Sequence, residues 1–101
     1  MTYFVRDQWQ TGFVTDVTVE NLGAPLNGWQ LKWSYSGNQQ ITNLWNGALS
    51  QVGQSVTVNS ASHNGNLPTG GRATFGFQAS YSGSNAAPTN FALNGVTCVR
   101  R

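Results

Sequence analysis

Residues 28–35 read GWQLKWSY, and this stretch decides the fold class. Trp29, Leu31, Trp33 and Tyr35 alternate with Gln30, Lys32 and Ser34. Successive side chains of a strand point to opposite faces, so an apolar period of two marks a half-buried β-strand. The same period runs outward on both sides. In GFVTDVTVEN (12–21), Phe13, Val17 and Val19 share one face while Asp16, Thr18 and Glu20 share the other. Val56 and Val58 in SVTVN (55–59) predict another strand, as do Phe75, Phe77 and Ala79 in RATFGFQAS (72–80). Phe91 and Leu93 in NFALNG (90–95) supply a late one, with Val96 and Val99 flanking the end.

Turn chemistry separates these runs. NLGAPLNG (21–28), SGNQQ (36–40), QVGQ (51–54), NGNLPTGG (64–71) and SGSNAAPTN (82–90) are rich in Gly, Pro, Asn and Ser. No segment shows a helical period with capping residues, and there is no internal repeat. Many short strands with such punctuation predict an all-β, antiparallel two-sheet β-sandwich. Its core is Phe13, Val17, Val19, Trp29, Leu31, Trp33, Tyr35, Phe75, Phe77, Phe91 and Leu93. At 101 residues the chain is one domain, 1–101.

Composition narrows the function classes. Charged residues are only 8% of the chain, against roughly 25% in an average soluble domain. Ser, Thr, Asn and Gln stand where Lys and Glu usually do, which suits an extracellular module with an uncharged polar surface. The chain is therefore expected to be secreted. Net charge is +2, and Arg6, Lys32, Arg72, Arg100 and Arg101 form no basic stripe, so no nucleic-acid partner is expected. No run of about 18 apolar residues points to a membrane span, and MTYFVRD at the start is not a signal peptide.

Catalytic material is sparse. The carboxylates are Asp7, Asp16 and Glu20. Asp16 and Glu20 lie on one strand face roughly 13 Å apart at about 3.3 Å per residue, too far for the carboxyl pair of a glycosidase. A small glycosidase would need Asp7 to approach Asp16. His63 is the sole histidine, with no second His or neighbouring Cys for a metal site and no Ser–His–Asp constellation. No cofactor or metal is expected, and the chain is not read as an enzyme. Cys98 is the single cysteine, either a small buried residue or one half of a disulfide.

Trp9 in DQWQTGF (7–13) and Trp45 in TNLWNG (42–47) stand outside the core pattern among amides and small residues. A solvent-exposed indole is costly to keep unless it is used. Indoles take the CH-rich faces of sugar rings. Amides such as Gln8, Gln10, Asn43 and Asn46 take the hydroxyl edges, donating and accepting with no charge to desolvate.

DQWQTGF, VTVENLGAPLNGWQLKW (17–33), QITNLWNG (40–47), SVTVNSASHNGNLPTGG (55–71), ATFGFQASYSG (73–83) and NAAPTNFALNGVTC (85–98) together resemble a bacterial family 2 carbohydrate-binding module of the cellulose-binding subtype. The resemblance implies a jelly-roll-like sandwich without catalytic activity. It also implies adsorption to insoluble cellulose, with chitin a second candidate, and an attached catalytic domain that the module targets, the module itself being a monomer. The family's flat strip of three aromatics falls on Trp9, Trp45 and His63, the last in ASHNG (61–65) where the family pattern carries Trp. By analogy, Asp16, Asn43, Asn64 and Gln78 would add polar contacts. Gly12, three residues after Trp9, stands where xylan binders carry an Arg that raises the indole, so a flat ring is expected. The family's disulfide partner of Cys98 would fall about one residue before Met1. A structural or adhesive sandwich domain that binds no sugar is the competing reading.

Overall fold

A computed structural model describes residues 1–98; Val99, Arg100 and Arg101 lie outside the described residues. Eleven strands are present among those described: β1 (Thr2–Trp9), β2 (Gly12–Glu20), β3 (Leu26–Asn27), β4 (Gln30–Ser34), β5 (Gln40–Trp45), β6 (Gly47–Val52), β7 (Ser55–Ser60), β8 (Asn66–Leu67), β9 (Arg72–Ser80), β10 (Ala92–Leu93) and β11 (Val96–Thr97). They form a four-stranded sheet ordered β1-β2-β9-β5 and a five-stranded sheet ordered β11-β10-β4-β7-β6. The short pair β3-β8 stands beside them. Every pairing is antiparallel.

The alternation in the sequence explains the layers. The four-stranded sheet turns Tyr3, Phe13, Val17, Val19, Phe75 and Phe77 inward, and the five-stranded sheet answers with Leu31, Trp33, Val56 and Val58. Trp33 stacks over Phe75 and Phe77 at ring separations of 6.3 and 6.0 Å, and Trp29 over Phe75 at 5.7 Å. Each such fully buried ring contributes roughly 1.5–3 kcal/mol of burial energy. Leu93 alone of the expected core is only partly buried, because β10 is a two-residue strand near the sheet edge. The hydroxyls of Tyr3 and Tyr35 meet at 3.0 Å inside the core, one from each side of the sandwich. Burial and this contact push the Tyr35 phenol well above its ordinary value.

Two irregularities position the site. The pairing of β1 with β2 slips between Val5 and Asp7, and that of β5 with β9 slips between Ile41 and Asn43. Each is a bulge that leaves one residue, Arg6 or Thr42, outside the ladder, and a bulge reverses which side later residues face. Tyr3 and Ile41, ahead of the bulges, point inward. By unbroken alternation Trp9 and Trp45 would follow them into the core. Beyond the bulges both indoles instead lie on the outer face, on the two edge strands of one sheet.

Candidate carbohydrate-binding face

Cross-strand register assembles the outer face of the four-stranded sheet row by row. One row runs Trp9, Gly12, Ser80, Gln40; the next Asp7, Val14, Gln78, Asn43; the third Phe4, Asp16, Gly76, Trp45. Each tryptophan is thus opposite a glycine, and its indole lies down on that glycine. A Cβ added to Gly12 would stand 2.8 Å from Cζ2 of Trp9; one added to Gly76 would stand 2.5 Å from Nε1 of Trp45. Both distances are below any real carbon contact, so hydrogen at these positions is what lets the rings pack this close to the sheet. Trp9 keeps 41% of its surface exposed. Trp45 is half-buried, less open than its sequence context suggests, since Gly76 lets it sink to the backbone.

Between the two indoles lies the row holding Gln78 and Asn43, a cross-strand pair with both side chains exposed. Val14 continues the row toward β1. Amides flanked by flat rings suit a ligand whose faces are apolar and whose edges carry hydroxyls.

The other expected contacts divide. Asp16 is on this face, but both of its oxygens accept from Arg6: Nε donates to Oδ2 at 2.9 Å and Nη2 donates to Oδ1. That hydrogen bond, and then the charge of Asp16, push the Arg6 guanidinium above its ordinary value. Folding does bring Asp7 to the position diagonal to Asp16, about 7–8 Å away by the usual sheet geometry. Both oxygens of Asp16 are taken by Arg6, and Asp7 Oδ1 accepts from the Gln8 amide at 2.9 Å. Asn64 is half-buried and used internally: its Oδ1 accepts from the Ala61 amide at 2.8 Å and its Nδ2 donates to the Asn46 carbonyl at 2.8 Å. It therefore shapes the loop that carries His63, which is exposed, against the corner after Trp45.

Two residues at or beside this face escaped the sequence reading. Phe4, 62% exposed, stands on the same face in the third row; the alternation Tyr3-Phe4-Val5 was the signal that could have found it. Tyr81 lies behind Trp9. Its hydroxyl donates to the Trp9 carbonyl at 2.8 Å and accepts from Nε2 of Gln8 at 3.1 Å. Nothing in the local sequence announces that contact. Among the described residues no group of three or more His, Cys, Asp or Glu could hold a metal ion.

Both the sequence and the sandwich have known relatives. Residues 1–98 match the model of the family described as cellulose binding domain. The chain belongs to that family. Endoglucanase A of Cellulomonas fimi is 50% identical over 96 residues, covering 95% of this chain and 21% of that protein. The chain spans about a fifth or less of the length of the curated relatives it matches first. Among solved structures, the chitin-binding domain of Chi18aC from Streptomyces coelicolor superposes with a TM-score of 0.77 at 32% identity, over 95% of this chain and 90% of that one. The cellulose-binding family 2 carbohydrate binding domain from ScLPMO10C gives 0.69 at 37% identity, over 96% and 90%. As a member of this family, the domain is a carbohydrate-binding module with an antiparallel β-sandwich fold.

Proposed function

We propose that the domain adsorbs to insoluble β-1,4-linked polysaccharide, cellulose first and chitin second, through the outer face of its four-stranded sheet. Trp9 and Trp45 stack on the sugar faces, His63 extends the line beyond Trp45, and Gln78 and Asn43 reach the hydroxyl edges between the rings. Asp16 contributes through the Arg6 pair, and Asn64 by holding the His63 loop. The observation that supports the reading is that both indoles pack against glycines on one sheet face. A planar surface suits a solid ligand better than a single chain held in a groove. Roughly 25 cal/mol for each Å² of apolar surface covered would let two or three rings support micromolar affinity after entropy losses.

The domain works without catalysis, as a secreted monomer, by tethering an attached polysaccharide-degrading enzyme to its substrate and so raising local concentration. Relatives named as endoglucanases support this reading. Adsorption of the native domain and of Trp9→Ala, Trp45→Ala and the double variant to microcrystalline cellulose, chitin and insoluble xylan tests it. Folded variants should bind at least tenfold more weakly, the double variant most of all. Undiminished adsorption of the folded double variant would favour a structural or adhesive role instead.

A further inference from the structure

We infer that Phe4 is an additional polysaccharide contact, set to one side of the Trp9–Trp45 line so that the face spans a second, parallel chain of an ordered array; this rests on the adsorption reading above. The indole of Trp9 covers Gly12 on β2 and that of Trp45 covers Gly76 on β9. Gly12 and Gly76 are four residues apart along the strands and one strand apart across them, since Gly76 pairs with Asp16. The two platforms are thus about 14 Å apart, on a line inclined about 20° to the strands. Phe4 also pairs with Asp16, from the other side, on β1. That puts it level with Trp45 but two strand spacings across the sheet, about 9 Å off the line of the indoles.

This offset exceeds the width of one pyranose ring, so a chain lying along Trp9 and Trp45 does not reach the phenyl group. A neighbouring chain in a flat, ordered surface does. The phenyl is 62% exposed and its face is continuous with the face that holds both indoles; its like-facing neighbours are the short Thr2 and Thr18 and its cross-strand partner Asp16, whose charge is paired with Arg6. An apolar ring so placed adds contact only where the ligand is wider than one chain. Phe4 therefore favours crystalline arrays over isolated chains.

The experiment compares the native domain with Phe4→Thr, which keeps strand propensity, and with Phe4→Tyr, which keeps the ring. Adsorption to microcrystalline cellulose and to crystalline chitin is measured beside solution titration with soluble cellohexaose and chitohexaose, with Trp9→Ala as control. Phe4→Thr should lose about three- to tenfold in affinity for the solids with oligosaccharide binding unchanged, and Phe4→Tyr should retain native adsorption. Native adsorption by folded Phe4→Thr overturns the inference, and so does an equal loss on solid and soluble ligands. If Trp9→Ala adsorbs normally, the underlying assignment of the face fails, whatever Phe4 does.

Discussion

The side-chain amide of Asn64 donates to the backbone carbonyl of Asn46 over 2.8 Å. Asn46 follows Trp45 and has φ of +63°, a left-handed conformation that Asn tolerates better than most residues. It forms the corner at which the chain leaves the four-stranded sheet after β5 and enters the five-stranded sheet as β6. The hydrogen bond therefore joins the loop of His63 to the corner of Trp45. Asn64→Ala removes it together with the contact to Ala61. We expect a melting temperature lower by about 5–10 °C and weaker adsorption through the loosened loop. Thermal unfolding and an adsorption isotherm check both, and Asn64→Asp, which keeps the acceptor for Ala61, should fall between.

Gly76 is the seat of Trp45. A valine there drives its side chain into the indole, which has to lift from the sheet. Gly76→Val should destabilise the domain by about 1–3 kcal/mol and weaken adsorption at least tenfold. Near-ultraviolet circular dichroism reports the ring's movement. Native adsorption by this variant would mean that a flat Trp45 is not required.

Tyr81 holds Trp9 from behind. Tyr81→Phe keeps the edge contact with Phe13, at 5.9 Å between ring centroids, but loses the hydroxyl that Trp9 and Gln8 share. The loss should be about 1 kcal/mol of stability and about two- to fivefold in adsorption. Added to Trp9→Ala, the same change should cost no further adsorption, because its effect passes through the ring already removed.

Cys98 is partly buried and its thiol is a free one, with burial pushing its pKa up. Less of it is therefore thiolate at a given pH than of an open cysteine, and thiolate is the reactive form. Alkylation by iodoacetamide at pH 8 should run slower than for a model thiol, with the gap closing as pH rises. Disulfide-linked dimers should accordingly form slowly in the folded state. A rate at pH 8 equal to that of the model thiol would contradict the burial.

Much of the sandwich was legible because burial obeys a local rule. GWQLKWSY alternates, and its four apolar residues are all buried; Phe75, Phe77 and Ala79 follow the same logic. The candidate site's geometry was less legible. Trp9 and Trp45 could be picked out as ill-suited to a core, and Gly12 as a seat for a flat ring. Gly76 could not, since it lies 31 positions from the residue it supports. The hydrogen bonds by which Asn64 ties its loop to Ala61 and Asn46 were not legible in the sequence, nor was the placement of Phe4 on the same face.

Sequence alone determined the fold class, the central strands and most of the aromatic core, because side-chain hydrophobicity and period-two alternation act over a few residues; Tyr3, Ile41, Leu67 and Ala73 joined the core only in the structure. Tertiary structure alone decided which way the indoles face. Counted along β1 and β5 without interruption, Trp9 and Trp45 have the parity of buried Tyr3 and Ile41. The bulges at Arg6 and Thr42 reverse it. A bulge exists only relative to the partner strand: one residue more on this side than on the other. That surplus is set by pairing between residues far apart in the chain, so it appears only when β1 is laid against β2 and β5 against β9.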